Sequence, residues 1–253
     1  MPDRVVLITG AASGIGAATA RRFGDRGAKL AVVDVNAHGL GETAAAIEKT
    51  GGSVLTVVAD VTASGAAQAA VSATIERFGR LDVFVNAAGI TRRNAISDTS
   101  DEEWQKVIDV NLTAPFRWSR AAISALRDSG GGAIVIVASV WGLVAGPKVV
   151  AYAAAKGGLV NLTRAMAIDH GPDRIRVNAV CPGDIDTPLM REEARLVGLD
   201  PDRAVAESGA GRPVGRVGVP DDVTSAIEYL ASPEAGYITG TTLTIDGGWM
   251  AGG

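Results

Sequence analysis

The chain has 253 residues, 47% hydrophobic and 21% charged, with a net charge of −4 and a single cysteine. Such a length buries one large core and allows one or two domains. No apolar run approaches the ~20 residues of a membrane span, no basic tract marks a nucleic acid or an anionic membrane as the main partner, and Cys181 alone excludes an intramolecular disulfide.

Met1-Pro2-Asp3-Arg4 leads straight into a strand, so no secretory or transit peptide is expected, and one thiol fits a reducing cytoplasm. His38 and His170 have no second histidine or cysteine at ligand spacing, so no metal site is expected. Strand-length apolar runs alternate with longer amphipathic stretches from end to end. Strands are predicted over 5–9, 29–35, 54–59, 81–85, 133–138, 175–180 and 242–245. Helices are predicted over 14–26, 40–49, 66–78, 100–127, 150–170 and 221–231, with glycines 27, 51, 52 and 79 at the stops. Several strands are solid Val, Ile, Leu and Ala, the pattern of strands covered on both faces. The alternation predicts one α/β domain over 1–253, a doubly wound Rossmann-like parallel sheet of about seven strands with helices on both faces.

Strand 5–9 runs into Gly10-Ala11-Ala12-Ser13-Gly14-Ile15-Gly16 and then a helix. Glycines there permit a tight turn and let backbone N–H groups approach a pyrophosphate at the helix N-terminus, where the dipole favours an anion. The spacing is G-x-x-x-G-x-G, not the general G-x-G-x-x-G fingerprint. Gly10, Ser13, Gly14, Ile15 and Gly16 are the candidate cofactor contacts. Asp34 ends the second strand. A carboxylate there accepts from both adenosine ribose hydroxyls and repels a 2′-phosphate, which favours NAD, although a strand-end cap is the plain alternative. Ala11, Ala12 and Ser13 offer no cation to a 2′-phosphate. Asp60 and Val61 follow the third strand, and Asn86-Ala87-Ala88-Gly89 follows the fourth.

Asn111 falls inside helix 100–127, where a helix gains little from asparagine. Ser139 follows strand 133–138, with Trp141 and Lys148 after it as candidates to reach the pocket. Tyr152 and Lys156 then lie four apart on helix 150–170 and share one face. A free tyrosine titrates near ~10 and is a poor base at neutrality. A fixed ammonium nearby favours the phenolate, and a serine hydroxyl at the same spot holds a substrate oxygen. That combination suits an alcohol or ketone site. Residues 184–219, with Pro188, Pro201 and Pro213 and a short helix near 189–196, read as an irregular lid after a strand's carboxyl end.

With these residues the chain resembles the short-chain dehydrogenase/reductase family over nearly its whole length. The family's T-G-x-x-x-G-x-G matches Thr9 to Gly16, and its N-N-A-G appears as Asn86-Ala87-Ala88-Gly89 with one substitution. The Asn-Ser-Tyr-Lys tetrad falls on Asn111, Ser139, Tyr152 and Lys156. The resemblance implies Tyr152 as acid/base, Lys156 tuning it and binding the nicotinamide ribose, and Ser139 on the substrate oxygen. It also implies that Asn111 holds a relay water, that Asp60 contacts adenine, and that Pro182-Gly183 with Ile185 and Thr187 fixes the carboxamide. The last strand and tail would take part in subunit contacts of a homotetramer. The expected activity is NAD-dependent oxidation of a secondary alcohol or polyol, or reduction of the ketone. A 3-ketoacyl-carrier-protein-type reductase and a non-catalytic NAD-binding module are the alternatives. Trp104, Val107, Ile108, Leu112, Phe116 and Trp118, then Leu159, Leu162, Ala165 and Ile168, give the two long helices more apolar surface than one buried face needs, which predicts an interface there.

Overall fold

The structure, a computed structural model, describes residues 1–252. Seven strands form one parallel sheet in the order β3-β2-β1-β4-β5-β6-β7. They are β1 (Val5–Thr9), β2 (Lys29–Asp34), β3 (Ser53–Val58), β4 (Val83–Asn86), β5 (Gly132–Val137), β6 (Ile175–Pro182) and β7 (Thr242–Ile245). The chain builds outward from β1 to β3, then returns to place β4 on the other side of β1. The crevice beyond the carboxyl ends of β1 and β4 is therefore the switch point at which such sheets hold ligands.

Alternate residues of each strand enter two separate cores. Leu7, Val33, Phe84, Ile134, Ile136 and Val177 face one side, with Trp118, Leu126 and Leu159 packed over them. Val6, Ile8, Leu30, Val32, Val85 and Val135 face the other, under Phe23, Leu40, Ile47, Ile227 and Leu230. Both faces are dry, so these strands show no polar alternation. Each such side chain contributes ~1.5–3 kcal/mol by leaving water.

Most helices match their predicted spans within a few residues: α1 (Gly14–Asp25), α2 (Ala37–Lys49), α3 (Ala66–Phe78), α6 (Val150–His170) and α9 (Pro220–Ala231). No helix among the described residues is long and apolar enough to cross a membrane. Two regions differ from the sequence expectation. The single helix expected over 100–127 is α4 (Asp101–Ile108), a π-helical turn (Asp109–Thr113) and α5 (Ala114–Asp128). Pro115 has no N–H to give the carbonyl of Asn111, and its ring crowds that carbonyl, so the backbone widens there. Residues 184–219 hold the expected short helix as α7 (Pro188–Leu196) and a second, unexpected one, α8 (Pro201–Ala210). Pro188 and Pro201 begin these helices, at positions where a missing N–H costs nothing. Thr187 Oγ1 accepts from Met190 N at 3.3 Å and Asp200 Oδ1 from Arg203 N at 2.9 Å as the two caps. Paired backbone bonds close the base of the excursion, Asp186 N to Gly218 O at 2.9 Å and Gly218 N to Asp184 O at 3.0 Å.

Candidate active site

A cleft of about 450 Å³ runs along the carboxyl edge of the sheet, bounded by the β1–α1 loop at one end and by α7 at the other. Gly10, Ser13, Gly14, Ile15 and Gly16 line it, followed by Asp34, Asp60, Val61, Ala87, Ala88 and Gly89. Ser139, Trp141, Tyr152, Lys156, Pro182, Gly183, Ile185 and Thr187 complete the predicted set found on its walls.

The nucleotide end is shaped by backbone contact. A Cβ on Gly16 would stand 2.0 Å from Gly10 O, and one on Gly10, whose φ is +71°, would stand 2.6 Å from Ala88 N. No larger residue fits where the first loop packs on the turn after β4. Ser13, the N-cap of α1, makes no side-chain capping bond, so the N–H groups of the first turn are left to an anion in the cleft. These features fit the pyrophosphate of a dinucleotide. Asp34 Oδ2 accepts from Ala12 N at 3.0 Å and Oδ1 from Asn36 N at 2.9 Å. The carboxylate is thus both a local cap and a cleft residue, and each oxygen keeps a further lone pair. Among the described residues, Lys106 and Lys156 are the only cations lining the cleft, and no arginine lines it. Asp60 Oδ1 accepts from Thr62 N and Oγ1, which hold its carboxyl below the usual range.

At the other end, β5 and α6 bring three hydroxyl and amine groups together. Ser139 Oγ accepts from Trp141 N at 3.2 Å, which leaves its own hydrogen to donate. Lys156 Nζ donates to Val137 O at 2.9 Å and lies 5.5 Å from the centre of the Tyr152 ring. Burial lowers the Lys156 ammonium to about 8. Burial also pushes the Tyr152 phenol up, Glu193 adds to that rise, and Ser139 opposes it. Burial is the dominant cause, so the phenol holds its proton at neutral pH as a donor to a ketone oxygen.

Three predicted residues lie off the cleft wall. Asn111 is fully buried in the π-helical turn. Its Nδ2 donates to Ile90 O and Val107 O, each at 3.0 Å, and its Oδ1 accepts from Ile90 N at 3.2 Å. It clasps the segment behind the wall, and a Cβ on Gly89 would meet Asn111 Oδ1 at 2.9 Å and Lys156 Nζ at 3.7 Å. Asn86, placed among the cofactor contacts by its motif, is instead buried at the end of β4. Its Oδ1 accepts from Thr9 Oγ1 at 3.2 Å, which ties β4 to β1 beneath the cleft. Lys148 sits exposed in the turn before α6 with φ +59° and is not among the residues lining the cleft.

Trp141 does form a wall, and its support was not foreseen. It meets Trp249 edge to face, with ring centres 5.0 Å apart at 76°, and the Arg212 guanidinium lies 4.9 Å over Trp249. Leu189, Met190 and Glu193 of α7 also line this end. Their only advance signal was the placement of 184–219 after a strand's carboxyl end.

Comparisons with known proteins agree with this geometry. A family model described as enoyl-(acyl carrier protein) reductase matches residues 10–250. The chain is 41% identical to levodione reductase of Leifsonia aquatica over 255 residues, covering 98% of this chain and 95% of that protein. It is 40% identical to cis-4-hydroxycyclohexanecarboxylate dehydrogenase of Sinomonas cyclohexanicum, covering 98% and 97%. A crystal structure of levodione reductase superposes with a TM-score of 0.96 at 39% identity, over 99% of both chains. Carveol dehydrogenase from Mycobacterium avium in complex with NAD gives 0.93 at 31% identity, over 99% of both.

Proposed function

The chain belongs to the short-chain dehydrogenase/reductase family, an oxidoreductase of secondary alcohols and ketones that uses a nicotinamide dinucleotide, and within that frame we propose that it is an NAD-dependent dehydrogenase with Tyr152 as its acid/base. The observation that carries this is the convergence of Ser139, Tyr152 and Lys156 at one end of a cleft whose other end is a glycine loop and Asp34. The two-electron chemistry comes from the dinucleotide when it is bound. Ser139 donates to the substrate oxygen and steadies the charge that develops there. Tyr152 gives its proton to that oxygen in reduction and takes it back in oxidation. Lys156, held by Val137 O, binds the nicotinamide ribose and lowers the cost of the phenolate. Asn111 keeps the Ile90 segment in place and holds the relay water beside Lys156.

Asp34 supports the choice of NAD. A 2′-phosphate would face a carboxylate in a cleft without an arginine. The segment 184–219 serves as the substrate lid, since it follows the carboxyl end of β6 and its α7 forms one wall of the cleft.

A cytoplasmic homotetramer is part of the same reading. Of the apolar residues singled out on the long helices, Val107, Trp118 and Leu159 are internal, whereas Trp104, Phe116 and Ile168 stay exposed, Ile168 at 78%. That remainder supports a subunit interface on this face.

The test is a screen of secondary alcohols and ketones with NAD and NADP, followed at the nicotinamide absorbance, on the parent and on Tyr152→Phe. Loss of the phenol hydroxyl is expected to lower turnover by ~10²–10⁴-fold, the usual contribution of a positioned acid/base, while nucleotide binding survives. Turnover of the variant near the parent rate would refute the assignment.

A further inference from the structure

The substrate end of the cleft contains a carboxylate that the tetrad does not use. Glu193, on α7, lines the cleft with Ser139 and Tyr152, and its side chain is 28% exposed. Its Oε1 lies 3.1 Å from Nε of Arg93, on the segment that follows β4. Arg93 is not on the cleft wall, and its Nε and Nη1 are buried without a hydrogen-bond acceptor. Glu193 thus lines the cleft and its guanidinium partner does not. Burial raises the Glu193 carboxyl above its ordinary range and Asp184 adds to the rise, while Arg93 opposes it; as a carboxylate, Glu193 is an acceptor only. Trp141, Leu189 and Met190 leave the surrounding wall largely apolar. Of the other charges on the wall, Asp184 is negative and bridged to Arg212, and the Lys156 ammonium is held by Val137 O beside Tyr152.

We propose that Glu193 is a specificity-determining residue that accepts a hydrogen bond from a second hydroxyl of the substrate, so that the site selects neutral diols and polyols and rejects alcohols bearing a carboxylate. The proposal rests on the reading of Ser139 and Tyr152 as the carbinol site. A hydroxyl near the reacting carbon finds in Glu193 an acceptor already removed from bulk water, where a charge-assisted bond is strongest. An anionic substrate would set its own charge beside Glu193 and Asp184, with the Arg93 guanidinium off the cleft wall and already paired.

The experiment compares kcat/KM on matched alcohols: 2-butanol with 2,3-butanediol, cyclohexanol with trans-1,2-cyclohexanediol, and 2-butanol with 3-hydroxybutyrate. The parent is expected to prefer each diol over its mono-alcohol by ~10–100-fold, the span of one hydrogen bond to a charged group. Glu193→Ala should bring that ratio to within about threefold of one. Glu193→Gln keeps a neutral acceptor and removes the charge. It should retain part of the diol preference and raise 3-hydroxybutyrate relative to 2-butanol by ~10-fold or more. Fluorescence titration with nucleotide reports whether each variant is folded, and the Gln variant carries the test if Glu193→Ala, which strands Arg93, is not. A parent ratio near one, or one unchanged in a folded variant, would overturn the proposal. A parent preference for 3-hydroxybutyrate would overturn it too and make Arg93 the anchor. In each of these results the oxidation of some alcohol leaves the proposed function standing. No turnover of any alcohol with either nucleotide would overturn both.

Discussion

Replacing Lys156 by methionine should stabilise this protein at neutral pH while abolishing its activity. The ammonium is buried, 3% exposed, and burial lowers it from its ordinary 10.5 to about 8. Below pH 8 both the folded and unfolded chains carry the proton, and the folded state bears the full cost, ~3 kcal/mol. Between about 8 and 10.5 the unfolded chain holds a proton that the folded chain has released. Wild-type stability therefore rises with pH across that window, and the penalty is gone above it. Methionine has a similar length and no charge, but it forfeits the bond from Nζ to Val137 O at 2.9 Å, which costs ~1 kcal/mol. The net expectation at pH 7 is a gain of ~1–2 kcal/mol, or a melting temperature higher by ~2–8 °C for a chain of this size. The assay is thermal or urea unfolding of parent and variant at fixed protein concentration from pH 6.5 to 10.5. Comparing the two at each pH cancels the other groups that titrate. The variant's advantage should be largest at and below pH 8 and should shrink above it, leaving the parent favoured near 10.5. A variant less stable than the parent at pH 7, or a difference flat between 8 and 10.5, would refute the reasoning. A charge kept in the core at such a cost is expected where function requires it.

The parent should favour NAD over NADP by a few hundredfold, since two ribose bonds to a charged acceptor are worth ~1.5–3 kcal/mol each; Asp34→Ala should erode this mainly by weakening NAD, and comparable efficiency of the parent with both nucleotides would show that Asp34 does not set the choice. Gly16→Ala places a methyl group 2.0 Å from Gly10 O, so the loop must open. Nucleotide affinity in a fluorescence titration should fall ~10-fold or more, at ~1.4 kcal/mol per decade, and an unchanged affinity would contradict the close packing of that loop. Light scattering at micromolar concentration should give a tetramer mass, and a monomer would remove the interface assigned to Trp104, Phe116 and Ile168.

The nucleotide half of the cleft was legible because its requirements are local. Gly16 is demanded by its contact with Gly10 O and Gly10 by its positive φ, both within a single strand–loop–helix unit, and Asp34 is placed by where β2 ends. The strands were legible for the same reason, since burial on both faces writes itself into each short run. The substrate half is assembled from distant segments. Glu193 comes from α7, Arg93 from the turn after β4, and Trp249 from the tail to support Trp141. No periodicity links them. The motif holding Asn86 fixed a turn but not the direction of its side chain, which accepts from Thr9.

Proline was the ambiguous letter. Pro188 and Pro201 were read as interruptions, although Thr187 and Asp200 immediately before them were cap signals of the opposite meaning. Pro115 inside a predicted helix was passed over, and its effect bears on the site. Each residue turns an α-helix by ~100°. The π-helical turn accommodates one more residue than a regular turn, so α4 and α5 present faces out of step by about that angle. That offset lets α5 set Trp118 into the sheet core while Asn111, a few residues earlier, faces Ile90 and the rear of Lys156. An unbroken helix would have to sacrifice one of these two placements. The asparagine was therefore recognisable from the sequence, but what aims it is a backbone defect made by a proline four residues later.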